Sequence, residues 1–208
     1  MAKNKFITFE GIEGVGKSTN IAYCTKILDN HKLPWVRTRE PGGTPVGEMI
    51  RKILLSEPEE KIVPQTEALL MYAARSQHIE HVIKPALKNG QWVICDRFFD
   101  ATLAYQGCGR GLGMDKIKEL NQWVLGDFAP DLTILLDTPA AIGLERIRQR
   151  KELDRFEKEK EAFFETIRQC YLDLAKTYPE RYRVVDASKP LHEVQKSLAD
   201  ILLRNIPG

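Results

Sequence analysis

The chain has 208 residues, 43% apolar and 29% charged, which is the make-up of a folded domain and excludes a disordered or collagen-like chain. Its 31 basic and 29 acidic side chains leave a formal net charge of +2, too balanced for a protein wrapped in nucleic acid, so any anion site must be local. No run nears the roughly 18 apolar residues of a membrane span, and Met1-Ala2-Lys3-Asn4-Lys5 lacks a signal-peptide core; a cytoplasmic chain without nucleic-acid or membrane partners is expected.

In chain order, the β-branched and aromatic run at 6–9 predicts a strand ending in a Gly-rich segment at 11–16. Ile21, Cys24, Ile27 and Leu28 predict a helix over 17–30. A second strand is expected at 35–38, stopped by Pro41-Gly42-Gly43. A helix over 45–55, a loop at 57–60 and a long helix over 66–87 follow, with Pro85 near its end. The turn signal Asn89-Gly90 precedes a third strand at 92–95; a fourth is expected at 132–136 and a fifth at 184–185. Helical patterns fill 115–125, 139–150, 160–177 and 190–204. Apolar runs without alternation, separated by helices, imply an α/β fold with a parallel sheet buried on both faces, the first strand central. Ligands in such sheets bind beyond the carboxyl ends of the strands. One domain over 1–208 is expected. Cys24, Cys95, Cys108 and Cys170 show no zinc spacing and read as thiols.

Residues 11–18 read Gly-Ile-Glu-Gly-Val-Gly-Lys-Ser, a full match to the phosphate-binding pattern GxxxxGK[ST]. The glycines let consecutive N–H groups turn inward as an anion nest, and the following helix adds the positive end of its dipole. Gly11, Ile12, Glu13, Gly14, Val15, Gly16, Lys17, Ser18 and Thr19 are therefore the candidate ATP-binding residues. Lys17 offers a mobile charge to the outer phosphates, and the Ser18 hydroxyl is suited to Mg²⁺. The bland alternative is a structural Gly-rich turn. Asp96, at the tip of an apolar strand, is the second metal candidate unless it only caps the next helix; Arg97 beside it can grip a phosphate bidentately. Asp137 reads as mostly structural, because Pro139 starts a helix directly after it and either Asp137 or Thr138 would serve as its cap. The basic run at 146–160 is either a solvated face laced with ion pairs or a lid whose arginines close over a triphosphate. The spacing leaves both open.

Together the motifs resemble the thymidylate kinases, the dTMP kinases within the P-loop nucleoside monophosphate kinases. The carrying stretches are 9–18, 38–44, 72–75, 96–97, 104–107, 109–111 and 153–157, in order along nearly the whole chain. The resemblance implies a P-loop NTPase fold, a five-stranded parallel sheet flanked by helices, with a mobile lid at about 146–160. It implies transfer of the ATP γ-phosphate to dTMP with Mg²⁺ by a cytosolic homodimer. The lid is similar to the bacterial style, because the P-loop holds Val15 and no arginine while Arg148, Arg150 and Arg155 lie in the lid.

Lys17, Arg97, Arg148, Arg150 and Glu13 are accordingly the candidate catalytic residues. The implied dTMP set is Glu13, Glu40, Pro41, Met71, Arg75, Arg97, Thr102, Tyr105 and Gln106. By the same resemblance, Thr102 and Gln106 are expected to offer polar contacts to the base edge, and Tyr105 to pack where a ribose 2′-hydroxyl would project. Met71 stands where the family commonly has a stacking Phe, and Ala101 where many relatives have Ser. Two rivals remain at this stage: another kinase of the same architecture, and an ATP-operated switch. His31, His78, His81 and His192 do not cluster and read as surface or packing residues.

Overall fold

The computed structural model describes residues 5–56, 59–148 and 154–206. Its sheet comprises β1 (Phe6–Glu10), β2 (Trp35–Arg39), β3 (Trp92–Asp96), β4 (Leu132–Asp137) and β5 (Tyr182–Asp186). The order is β2-β3-β1-β4-β5 with every pairing parallel, so the first strand is central as expected. β1 is buried along its whole length, and its alternate side chains serve two layers. Ile7 and Phe9 join the larger core with Ile134 and Leu28; Phe6 joins Val93, Phe98 and Ile83 on the other face. The edge strands differ. β5 leaves Val184 49% exposed, so burial on both faces holds only for the inner strands.

The helices are α1 (Lys17–Asn30), α2 (Pro45–Leu55), α3 (Pro64–His78), α4 (Lys84–Lys88), α5 (Phe99–Thr102), α6 (Met114–Leu125), α7 (Ala140–Arg148), α8 (Glu161–Thr177) and α9 (Leu191–Leu203). The long helix expected over 66–87 begins earlier, on Pro64, and changes pitch at Ile79–Ile83, a π-helical stretch leading into α4. Pro85 supplies no N–H and crowds the carbonyl four residues back, and the widened turn ahead of it relieves that clash. A second π-helical stretch, Leu103–Gly109, extends α5. No regular element was expected between the strand at 92–95 and the helix at 115–125.

Two other readings change. Cys108 and Cys170, with Cα atoms 6.5 Å apart, form a disulfide between that π-helical stretch and α8, leaving Cys24 and Cys95 as buried thiols. A separation of 62 residues gives the sequence no way to announce the pair. Asp137 accepts from Arg168 Nε at 2.8 Å and Nη2 at 3.0 Å on α8, so its structural role is an ion pair across the fold. No helix among the described residues is long and apolar enough to cross a membrane.

Candidate active site

β1 turns into the loop at 11–16 because its glycines permit what side chains resist. Gly14 has φ +75°, and a Cβ there would lie 2.1 Å from the Gly143 carbonyl oxygen of α7. Gly143 answers in kind: its Cβ would meet the Glu13 carbonyl oxygen at 2.6 Å. The loop thus rests directly on helix backbone. Ile12 and Val15 send their side chains into the core, while Ser18 and Thr19 at the head of α1 are exposed. Lys17 folds over the loop and donates to the Gly11 carbonyl at 3.1 Å and the Ile12 carbonyl at 2.9 Å. Burial, followed by the nearby Arg97 charge, lowers its pKa to about 8.

The carboxyl ends of β1 and β3 meet where Phe9 pairs with Asp96, and a cavity of about 270 Å³ opens above them. Glu13, Gly14, Gly16, Lys17, Ser18 and Thr19 line one side; Glu40, Pro41, Met71, Arg75, Thr102, Tyr105 and Gln106 line the other. Asp96 and Arg97 sit between them. Most of the expected site residues therefore converge on one space; Gly11, Ile12 and Val15 of the loop do not line it.

Arg97 is held in an unusual way. Its φ is +70°, in the left-handed region a non-glycine residue rarely adopts. Its own N–H donates to the Phe9 carbonyl at 3.0 Å, and the next amide, Phe98 N–H, donates to Oε1 of the buried Glu10 carboxyl group at 2.7 Å. The guanidinium lies 4.7 Å from the Tyr105 ring centroid and donates to Glu13 Oε1 and to the Tyr105 hydroxyl, each at 3.0 Å. Burial pushes the Tyr105 phenol well above its usual range, so it keeps its proton and donates a hydrogen bond to Glu13 Oε2 at 2.5 Å.

Arg75 forms the opposite wall and is 1% exposed. It donates from Nε to Glu40 Oε2 at 2.7 Å and from Nη2 to Thr102 Oγ1 at 2.9 Å and to the Phe98 carbonyl at 3.2 Å. Its Nη1 is buried without a hydrogen-bond partner. The other Glu40 oxygen takes His78 Nδ1 at 2.9 Å, whose Nε2 lies 2.6 Å from Thr38 Oγ1. A carboxylate accepts only, so His78 Nδ1 is the donor to Glu40, and its other ring nitrogen shares a hydrogen bond with the Thr38 hydroxyl. His78, read from sequence as a packing residue, is the third member of this buried chain. Arg39 and Arg51 also line the cavity and were not anticipated; Arg51 donates to the Pro41 carbonyl at 2.9 Å. Nothing local marks an arginine on β2 or α2 as facing a site. Only the topology brings them there.

The lid residues behave differently. Arg148, at the end of α7, is exposed and does not line the cavity, and Arg150 lies outside the described residues. Arg155, grouped with the lid arginines, turns away from the phosphate loop: its Nη2 lies 2.7 Å from Glu67 Oε2 and its Nε donates to the Leu54 carbonyl at 3.1 Å. Buried Glu67 attracts it because a carboxylate out of water needs cationic partners. Arg146 was not singled out, yet it donates to the Gly14 carbonyl at 3.4 Å and the Ala187 carbonyl at 3.2 Å, bracing the loop.

For a divalent cation, Ser18 and Asp96 offer a hydroxyl and a carboxylate at the cavity. That oxygen donor set suits Mg²⁺, which takes few protein ligands and completes its shell with water and substrate phosphates. No cluster of three or more His, Cys, Asp or Glu able to hold a metal occurs among the described residues, so a caged structural ion is not what these residues build.

Residues 9–198 match the family model described as Thymidylate kinase. Proteins named thymidylate kinase are similar to the chain along almost their whole length. One from Nitrosomonas europaea is 49% identical over 97% of this chain and 94% of its own. One from Pseudomonas putida is 52% identical over 97% and 95%, and one from Neisseria gonorrhoeae 52% identical over 96% and 97%.

Proposed function

The chain belongs to the thymidylate kinase family, and on that premise we propose that it transfers the γ-phosphoryl group of ATP to dTMP, giving dTDP and ADP on the way to dTTP. The observation that carries the reading is a cavity lined at once by the phosphate-loop Lys17 and by a half-buried, conformationally constrained Arg97. Two facing cations at one space are what two phosphorylated substrates require.

Phosphoryl transfer of this kind asks for position and charge more than for covalent chemistry. An oxygen of the dTMP phosphate, already anionic at neutral pH, attacks the γ-phosphorus in line as the bond to the β-bridging oxygen breaks. No strong base is needed. Lys17 and the loop amides, with the α1 dipole, hold the ATP phosphates. Arg97 holds the acceptor phosphate, exchanging part of its grip on Glu13 for it, and Glu13 and Tyr105 then border the sugar. Arg75, Thr102 and Gln106 meet the base edge, and the Met71 thioether lies against the ring. To Arg148 and Arg150 falls the neutralising of charge that develops between the two phosphates, a role Arg148 fills only by moving in from its exposed place outside the cavity. Mg²⁺ on Ser18 and Asp96 would draw charge from the β- and γ-oxygens.

The reading includes a cytoplasmic homodimer. Support for the dimer comes from an apolar face built by helices that pack side by side, α2, α3 and α6. Val46, Met49 and Ile53 of α2, Leu69 of α3 and Trp123 of α6 are 41–80% exposed there, large apolar side chains that a subunit contact would cover. The test is ADP formation with dTMP, dUMP, CMP, AMP and thymidine offered separately. Turnover is expected to be fastest with dTMP. Equal rates with CMP or AMP, or hydrolysis that ignores the acceptor, would overturn the reading.

A further inference from the structure

Behind the base-facing wall lies a carboxylate that the chemistry above does not use. Glu67, in the first turn of α3, is 1% exposed. Its Oε1 accepts from Gln106 Nε2 at 2.6 Å and from Arg110 Nε at 3.3 Å, and its Oε2 faces Arg155 Nη2 at 2.7 Å. Guanidinium groups stay charged at any pH a protein meets, so this carboxylate between two of them is an acceptor only. The arginines are themselves anchored. Arg110 donates from Nη1 to Glu159 Oε1 at 2.5 Å and lies 4.7 Å from the Phe163 ring centroid; Arg155 is tied to the Leu54 carbonyl. Glu67 therefore has no room to turn away.

A fixed acceptor dictates the orientation of its partner. A carboxamide has a donor end and an acceptor end, and Gln106 must give its NH₂ to Glu67. Reversal would set oxygen against oxygen in a buried place, leaving both without a proton between them. The Gln106 Oε1 makes no hydrogen bond among the described residues, and Gln106 lines the cavity. The same wall carries the unpartnered Nη1 of Arg75, a donor.

We propose that Glu67 is a specificity-positioning residue: by holding the Gln106 carboxamide it fixes an acceptor toward the base and selects pyrimidines that carry an N3 proton. The proposal rests on the cavity being the dTMP site. An acceptor near a donor complements the N3–H and O4 of thymine or uracil, whereas cytosine presents the reverse, a lone pair at N3 and an amino group at C4. The 5-methyl group plays no part. The device discriminates dTMP from dCMP and is blind to dTMP against dUMP.

The experiment compares kcat/KM for dTMP, dUMP and dCMP in the wild-type enzyme and in Glu67→Gln, whose amide both donates and accepts and so frees Gln106 to present either end. The dTMP-over-dCMP ratio is expected to fall about tenfold or more, the scale of one mismatched buried hydrogen bond, with the dTMP-over-dUMP ratio unmoved. Loss of activity by one common factor for all three substrates would make Glu67 merely structural and overturn the proposal. Failure of the dTMP reading would show separately, as a wild-type enzyme that ignores dTMP. Should Glu67→Gln not fold, NMR of the wild-type protein decides. The Gln106 side-chain amide protons, assigned by their loss in Gln106→Leu, are expected to exchange slowly with solvent both with and without dTMP; rapid exchange in either state would overturn the proposal.

Discussion

The two sides of the cavity are built on opposite plans. On the acceptor side, Arg75, Glu40, His78 and Thr38 form a chain of groups each less than a tenth exposed, and Glu67 fixes Gln106 behind them. On the donor side, Ser18 and Thr19 face water, and Lys17 rests on carbonyl oxygens of its own loop. One wall is assembled before a ligand arrives; the other supplies amides and mobile charge that a polyphosphate completes. The difference suits the tasks, since a base must be recognised by shape and polarity, whereas a triphosphate must be gripped, reacted and released.

The sharpest way to break the comparison is Glu40→Ala. It strands the buried Arg75 guanidinium and removes the acceptor from His78, and is expected to cost about 3–5 kcal/mol in urea unfolding. A loss under about 1 kcal/mol would mean that this wall is not a coupled network. On the donor side, Lys17→Ala should leave stability nearly unchanged while lowering turnover about 10²–10³-fold. Near-normal turnover would remove Lys17 from the mechanism.

Gly143→Ala tests where the sides join. Its methyl group would enter the space of the Glu13 carbonyl, so a displaced loop and a loss of about 1–3 kcal/mol are expected, with ATP affinity falling more than dTMP affinity. Equal losses would contradict that asymmetry. The smallest effect is a pH dependence. Lys17, with its pKa lowered to about 8 by burial and by Arg97, loses its charge as pH rises through that value, and bound phosphates favour the charged form. ATP affinity is thus full below about pH 8 and weakens by up to about tenfold per unit above it, measurable by calorimetry. The slope should vanish in Lys17→Met; a wild-type affinity flat from about pH 7 to 9 would rule the linkage out.

The same contrast explains what could be read from the chain alone. The phosphate loop is a local device, with spacing and glycines contiguous at 11–18, and the strands around it carry uninterrupted apolar runs. The acceptor wall is assembled across the fold, by contacts such as Glu40 with His78 and Glu67 with Gln106, 38 and 39 residues apart. His78 on a helix face looks like any packing histidine, and Glu67 like an ordinary first-turn acid. Family resemblance supplied Arg75, Gln106 and the Glu40 that holds Arg75, but not Glu67, the carboxylate that orients Gln106. Arg155 misled for a related reason. A basic run looks poised for phosphate until the buried acid that claims one of its members is in view.

The most direct test of the account is to follow the terminal phosphate itself. Given ATP labelled in the γ-position together with dTMP, the enzyme is predicted to place the label in dTDP, and Arg97→Ala to slow that transfer by about 10²-fold or more. Label released as inorganic phosphate at the same rate with or without dTMP would contradict it.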